Sequence, residues 1–328
     1  MRRRIFALSM IAAALLLFMI AAHAATTQAA PPADTPTGNP GRGAYLFTLA
    51  AGCGCHQGAA GFLAGGEAFE GPFGKIYPPN ITSDAATGIG TYSEADIVRV
   101  LREGKRPDGS QLFPIMPYPA FSGMSEQDQY DLAAFIKTAP AVSNKLPASV
   151  YSVPIPPFSP PPQPADAPTG GVARGEYIVN TISHCGDCHT PTGPTGAPDF
   201  SKFLGGNTDF GSANITPSNE FGIGTWSQEQ IYLLLKTGKR PNGTQVGGLM
   251  ELVINGGLKD ITQSDGFAVA AYLKTIPAVD SAPVAAPPQT LPTTGNVLNQ
   301  TLLGAMLAFA LVLLASGAWL WRSARRVN

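Results

Sequence analysis

The sequence predicts a mainly α-helical protein: two tandem helical domains, a proline-rich linker between them and a C-terminal transmembrane helix. Three observations predict this organisation. The chain repeats itself at an interval of about 133 residues, which is the size of a domain rather than of a solenoid repeat. Proline is dense between the two copies. A stretch of 21 residues without any charge, 301–321, lies near the C-terminus.

The repeat is visible in short matching segments. "RGAYL" at Arg42 recurs as "RGEYI" at Arg174, and "NIT" at Asn80 recurs at Asn214. "TGIGTYS" is matched by "FGIGTWS", and "GKRPDG" by "GKRPNG". These matches predict domain 1 at 40–142 and domain 2 at 172–279. The linker, 143–171, contains so many prolines that we expect an extended, stiff spacer.

Each repeat predicts three helices and no strands, because the remainder is rich in glycine and proline without strand alternation. The first helix is expected at 42–51 and, in the second repeat, at 174–183. The second helix is expected from an N-cap at Ser93 to Gly104, and from Ser227 to Gly238. The third is expected to begin at the N-caps Ser125 and Thr262. A unit of about 100 residues with three helices has a small apolar core. A large bound apolar group would complete it.

Both ends of the chain predict export and membrane attachment. Residues 1–24 carry three arginines, an apolar run and Ala22-His23-Ala24, the layout of a cleaved signal peptide. An uncleaved anchor is the alternative. Residues 301–321 predict a transmembrane helix, and the arginine-rich tail 322–328 predicts its cytoplasmic end. Residues 25–39 and 280–300 are predicted tethers.

The charge of the exported part excludes one class of partner. Removing the six terminal arginines from the 21 basic residues leaves 15 against 22 acidic residues. A mildly acidic ectodomain does not suit nucleic acid, whereas a protein partner with a cationic patch fits it.

The second repeat contains Cys185-Gly186-Asp187-Cys188-His189, which matches the attachment pattern of c-type haem. In that pattern two thiols form thioethers with the haem vinyl groups and the adjacent imidazole binds the iron. The alternative for these residues is a metal-binding or redox-active cysteine pair.

The first repeat contains a shortened version, Cys53-Gly54-Cys55-His56. Arg42 precedes Cys53 by eleven residues, as Arg174 precedes Cys185, so the missing residue lies between the cysteines. We expect Cys55 and His56 to keep their roles, while Cys53 either reaches its vinyl group with strain or stays a free thiol. A haem-free domain is the alternative.

The second axial ligand follows from the repeat. Met116 and Met250 each lie eleven residues after the lysine of the "GKRP" segment, and Met124 has no such counterpart. Met116 and Met250 are therefore the predicted distal ligands of two haem c groups, with Met124 as the alternative for the first. His184 directly precedes Cys185 and is expected to be a polar neighbour. His/Met ligation fills both axial positions, which favours an electron carrier over an enzyme.

With these residues the chain resembles the two-domain class I c-type cytochromes, and most closely the cytochrome subunits of bacterial membrane-bound alcohol and gluconate dehydrogenases. The resemblance rests on "CGDCHTP", "LAGG", "FLGG", "GKRPDG", "MPY" and the two "NIT…GIG" segments, over about residues 41–278. It implies His56 and His189 as proximal ligands and Met116 and Met250 as distal ligands. The shortened first motif departs from the family pattern.

The expected function is therefore electron relay on the outer face of the cytoplasmic membrane. The expected partners are a dehydrogenase or quinol-oxidising complex as donor, a terminal acceptor, and the membrane. The alternatives are a haem enzyme with a catalytic first haem, and a monohaem carrier or structural subunit with a vestigial first site. Leu291 to Gly295, "LPTTG", also resembles a sortase sorting signal, so attachment to the cell wall is the alternative to a retained anchor.

Overall fold

The computed structural model describes residues 36–193 and 197–280. The predicted signal peptide, most of the first tether, most of the second tether, the predicted transmembrane helix and the tail lie outside the described residues. Among the residues that the structure describes, no helix has the length and apolar character needed to cross a membrane.

The described residues are mainly helical, as the sequence predicts, with a small antiparallel sheet. The α-helices in chain order are α1 Pro40–Leu49, α2 Glu94–Glu103, α3 Tyr118–Phe121, α4 Glu126–Ile136, α5 Gly171–Tyr177, α6 Gly186–His189, α7 Gln228–Thr237, α8 Gly248–Gly256 and α9 Gln263–Leu273. Short 3₁₀ segments lie at Ala51–His56, Phe200–Lys202 and Leu258–Asp260, and a π-helical turn at Ile178–Ile182.

The predicted helix caps are confirmed. The Ser93 side chain accepts a hydrogen bond from the Asp96 N–H in a capping box, and α2 ends at Gly104 in the left-handed conformation (φ 66°). Ser227 and Gly238 (φ 71°) do the same for α7. Ser125 and Thr262 cap α4 and α9. The helix pairs α2 and α7, and α4 and α9, are therefore equivalent in the two repeats.

Two features differ from the expectation of three helices and no strands. Both repeats have a further helix at the predicted methionine ligand: α3 begins two residues after Met116, and α8 contains Met250. The second repeat has one more, α6, at its cysteine motif. Three short strands, β1 Phe69–Gly71, β2 Gly74–Ile76 and β3 Val150–Tyr151, form an antiparallel sheet in the order β1-β2-β3. The strands are only two or three residues long, so side-chain alternation has no room to appear in the sequence.

The linker lies along the first repeat. Its strand β3 pairs with β2, and the Phe158 ring packs edge-on against Tyr118 with centroids 5.1 Å apart. The Arg102 guanidinium donates to the Pro161 carbonyl (2.8 Å), and the Gln163 amide donates to Gln129 (2.8 Å). Proline prevents helix formation here, but these contacts hold the extended chain against the first repeat.

The core is shared between the repeats. One cluster of buried side chains includes Leu49, Met124 and Leu132 from the first repeat together with Ile178 and Ile182 from the second. A small satellite cluster of Val246, Ile254 and Leu258 lies beside α8. The division into two domains stays a prediction from the repeat.

Candidate functional site

The second cysteine motif lies on a helical turn. The first helix of the repeat passes from α5 through the π-helical turn at Ile178–Ile182 and stops at His184, which has a left-handed backbone (φ 38°). Helix α6 then begins at Gly186, and the His189 N–H donates to the Cys185 carbonyl (2.9 Å). Because residues three apart lie on one face of a helix, Cys185 and Cys188 project to the same side.

The first motif takes a different backbone path. Ala51, Gly52 and Cys53 have consecutive left-handed conformations, with φ values of 52°, 64° and 46°. Left-handed backbone costs about 1–2 kcal/mol for a residue other than glycine. The shortened motif therefore replaces a turn of helix by a tight, strained turn immediately before Cys55 and His56.

Downstream of the cysteines the two motifs are held in the same way. The Nδ1 atom of His56 lies 2.8 Å from the Pro79 carbonyl oxygen, and Nδ1 of His189 lies 2.7 Å from the Ala213 carbonyl oxygen. Pro79 and Ala213 are equivalent in the repeat, because each precedes the asparagine of "NIT". The missing residue of the first motif therefore does not change the contact that orients its histidine.

The asparagines hold these carbonyl groups in place. The Asn80 amide donates to the Val142 carbonyl (2.7 Å) and the Asn214 amide donates to the Val279 carbonyl (2.6 Å). Each bond ties the loop to the residues after the last helix of its repeat. Neither the histidine contacts nor these asparagine contacts were predicted from the sequence, although the repeated "NIT" marked the segment that makes them.

The environment of both imidazoles suits a metal ligand. Burial lowers the pKa of His56 and of His189 below the usual value, so both rings are neutral at physiological pH. The carbonyl groups accept from Nδ1–H, and among the described residues Nε2 of neither ring has a hydrogen-bond partner. A ligating histidine characteristically uses its second nitrogen in this way, which fixes the ring and leaves Nε2 for the metal.

The four cysteines are present as free thiols. Cys53 and Cys185 both pack against the shared core, so the first cysteine of each motif occupies a similar environment despite the different backbone. Burial raises the pKa of Cys53 and of Cys185 to about 12, and that of Cys188 to about 11. Two reduced thiols followed directly by a histidine are the residue set that covalent haem attachment requires.

The three candidate methionines have different surroundings. Met116 is half-buried at the edge of the shared core, just before α3, and Met250 is half-buried on α8 against the satellite cluster. Met124 is fully buried within the shared core. Met116 and Met250 thus keep part of their side chains available, whereas Met124 fills the core. Their role as distal ligands stays a prediction.

His184 is engaged elsewhere. Its Nδ1 atom lies 3.2 Å from an Asp187 carboxylate oxygen, and its ring packs edge-on against Phe121 with centroids 5.4 Å apart. These contacts agree with the expectation that His184 is a polar neighbour of the second motif.

The comparison with known proteins decides the family. The chain is 32% identical over 271 residues to a protein of Cereibacter sphaeroides named dihaem cytochrome c-type, covering 74% of this chain and 88% of that one. The chain belongs to the dihaem c-type cytochromes. No family model matches it. Membership of this family gives the chain an electron-transfer role and confirms the resemblance drawn from the motifs.

This cytochrome is also similar to subunits of dehydrogenases. It is 36% identical over 256 residues to the fructose dehydrogenase cytochrome subunit of Gluconobacter japonicus, covering 72% of this chain and 52% of that one. It is 31% identical over 265 residues to the gluconate 2-dehydrogenase cytochrome c subunit of Pantoea cypripedii, covering 73% and 60%. The cytochrome spans about half to three fifths of the length of these subunits. They are named as cytochrome subunits, which agrees with an electron carrier rather than an enzyme.

Proposed function

We propose that this cytochrome binds two haem c groups and relays electrons at the outer face of the cytoplasmic membrane. Its donor is a dehydrogenase or a quinol-oxidising complex, and its acceptor is a terminal electron acceptor. The observation that carries the proposal is the equivalent orientation of His56 and His189 by the Pro79 and Ala213 carbonyl groups. A vestigial first site would have no reason to keep this contact.

Different residues of each repeat would bind different parts of a haem. The thiols of Cys185 and Cys188 would supply two thioether links, and Cys55 would supply one at the first site, to which Cys53 would add a second if it reaches its vinyl group. The neutral imidazoles of His56 and His189 would offer Nε2 to the iron, and Met116 and Met250 would each supply a sulfur ligand. A haem bound in this way supplies a one-electron ferric/ferrous couple.

The donor and the membrane location rest on different observations. The names of the relatives support a dehydrogenase donor, since they include subunits of fructose and gluconate dehydrogenases. The uncharged segment 301–321, outside the described residues, supports a retained membrane anchor. Attachment to a cell wall through Leu291 to Gly295 is the alternative, and replacing Thr294 by alanine separates the two. A wild type and a variant that are both in the membrane fraction support the anchor, whereas a wild type in the wall fraction and a variant in the membrane fraction support the sorting signal.

A monohaem carrier is the second candidate, and the strained backbone at Cys53 favours it. Covalent attachment at the first motif requires a thiol to reach a vinyl group from a segment one residue shorter than the second. A site that had lost its haem would also accumulate such a deletion.

Haem content per chain tests the proposal. The full chain is expressed with a haem-attachment system and compared with the double variants Cys53→Ala/Cys55→Ala and Cys185→Ala/Cys188→Ala. Two haems in the wild type and one in each variant support the dihaem carrier. One haem in the wild type, lost only in the second variant, overturns it. The alkaline pyridine spectrum then counts the thioethers, because a haem with one thioether absorbs at longer wavelength than a haem with two.

A further inference from the structure

Two tyrosines connect the repeats by reciprocal hydrogen bonds. The Tyr45 hydroxyl donates to Asp265 (Oδ2, 2.9 Å), and the Tyr177 hydroxyl donates to Asp128 (Oδ2, 2.9 Å). Tyr45 and Tyr177 are the equivalent residues of "RGAYL" and "RGEYI", and Asp128 and Asp265 are equivalent residues of the last helices. The first helix of each repeat thus binds the last helix of the other. We call these four residues the tyrosine clasp.

Each hydroxyl of the clasp also accepts a bond. The Ser125 N–H donates to the Tyr177 hydroxyl (2.9 Å), and the Thr262 N–H donates to the Tyr45 hydroxyl (3.2 Å). Ser125 and Thr262 are the N-caps of α4 and α9. The hydroxyls of Tyr45 and Tyr177 therefore each donate one hydrogen bond and accept another at the start of a helix in the opposite repeat. Two bonds fix the position of each ring more tightly than one bond would.

Arginines of the same repeats hold the carboxylates of the clasp. Arg174 binds Asp265 through two bonds (Nε to Oδ1 3.1 Å, Nη2 to Oδ2 2.9 Å), and Arg42 binds Asp128 (3.0 Å). Asp128 and Asp265 are both buried. Hydrogen bonds to buried charged groups are among the stronger ones in proteins, so the buried bond between Tyr177 and Asp128 is a rigid connection. The Tyr45 bond to Asp265 is partly buried.

The two tyrosines of the clasp lie on the helices that lead into the two haem-attachment motifs. Tyr45 precedes Cys53 by eight residues, and Tyr177 precedes Cys185 by eight. The contact between repeats continues along these segments, since the Ser183 hydroxyl donates to the Leu49 carbonyl (2.7 Å). It ends at the motifs themselves, where the Phe121 ring of the first repeat packs against His184.

The first motif also contacts the second repeat directly, at the end of α8. Gly52 of the first motif lies so close to the Gly256 carbonyl that a side chain could not be added there.

We propose that Tyr45 and Tyr177 are positioning residues, which set the mutual placement of the two attachment motifs and hence of the two haems. The proposal rests on the proposed function, because it requires both motifs to be occupied. Neither tyrosine needs to contact a haem. Each acts through its hydroxyl, which holds the helix that leads into its own motif against the opposite repeat.

The test compares Tyr45→Phe/Tyr177→Phe with the wild type in the fully loaded chain. Both changes remove hydroxyls and keep the rings, so the apolar packing is retained. Tyr272→Phe is the matched control: its hydroxyl bonds to Asn180 (2.9 Å) within the second repeat and makes no contact across the repeats among the described residues. Haem content and thermal melting are measured for every variant.

The deciding measurement is circular dichroism in the Soret region. Two haems held close in a fixed arrangement give a bisignate couplet, whereas independent haems give single bands. We expect the double variant to lose the couplet while it keeps two haems per chain and a cooperative melt, and the control to retain it. Each single variant is expected to lose part of it.

Three results overturn the proposal. A couplet that is unchanged in the double variant shows that the clasp does not set the placement, and leaves the dihaem function intact. A wild type that has two haems but no couplet also overturns the clasp proposal and leaves the dihaem function intact. One haem per wild-type chain overturns both the clasp proposal and the dihaem function, so the haem count separates the two kinds of failure.

Discussion

Gly52 and Gly256 approach each other backbone to backbone across the two repeats: a Cβ atom on Gly52 would lie 2.3 Å from the Gly256 carbonyl oxygen. Gly52 is also left-handed (φ 64°) and lies one residue before Cys53. The contact brings the first cysteine motif against α8, the helix that carries Met250. Only glycine fits this position, for steric and for conformational reasons.

Gly52→Ala is therefore expected to destabilise the protein more than the same substitution at a left-handed glycine that has no close neighbour. Gly109 (φ 85°) is the control, because a Cβ atom there would meet no neighbour within 4 Å. We expect Gly109→Ala to cost about 1 kcal/mol of unfolding free energy, and Gly52→Ala clearly more. Denaturant unfolding of the two variants checks this. Equal losses would contradict the close approach between the repeats.

The prediction that Met116 and Met250 are the distal ligands can be tested by spectroscopy. Met116→Leu and Met250→Leu each remove a sulfur at similar side-chain volume, so we expect each to abolish the sulfur-to-iron charge-transfer band of one haem and to lower its potential. Met124→Leu is the control, since Met124 is fully buried in the core. It should keep both bands and cost less than about 1.5 kcal/mol. Loss of a band in Met124→Leu, with Met116→Leu unchanged, would make Met124 the ligand.

The buried pair of Arg174 and Asp265 is expected to matter more than a surface pair. Their side chains are 11% and 10% exposed and 2.9 Å apart. Arg174→Ala leaves the Asp265 carboxylate buried without its cation, and we expect a loss of about 3–5 kcal/mol. The control is Arg99→Ala, whose partner Glu103 is 3.8 Å away at the surface, with an expected loss of at most about 1 kcal/mol. Similar losses for both would argue against a rigid contact at α5.

The clasp also predicts a pH dependence. Burial raises the pKa of Asp128, against the opposing effects of Tyr177 and Arg42. The folded state therefore holds this proton more tightly than the unfolded state, and stability from this group falls as pH rises from the ordinary aspartate value, near 4, through the raised value. Compared with Asp128→Asn, the wild type should lose melting temperature as pH rises over that range.

Asp96 is the control, because its contribution to stability is expected to change with pH in the opposite direction. Hydrogen bonds from Ser93 lower the pKa of Asp96. Its contribution to stability is present above the ordinary aspartate value and lost as pH falls through the lowered one. The difference between the wild type and Asp96→Asn should therefore grow with rising pH and stay small, because Asp96 is near the surface. A difference of the same sign for both aspartates would contradict the burial of Asp128.

Local sequence determined the elements of this protein. Serine and threonine N-caps and glycine stops fix where a helix starts and ends through hydrogen bonds within three or four residues, so Ser93 and Gly104 could be recognised without a structure. The same is true of Cys185, Cys188 and His189, whose spacing follows from the chemistry of attachment. The equivalence of Met116 and Met250 came from the repeat alone.

Tertiary structure decided how these elements meet. Along the chain, Pro79 is 23 residues from His56 and Asp265 is 220 residues from Tyr45. A local sequence pattern therefore cannot predict either contact. The short helices α3 and α8 and the strand pair of the linker also form only where neighbouring segments supply their packing. Hydrogen bonds between distant residues depend on how two surfaces pack together, and that is a property of the folded chain rather than of any segment of it.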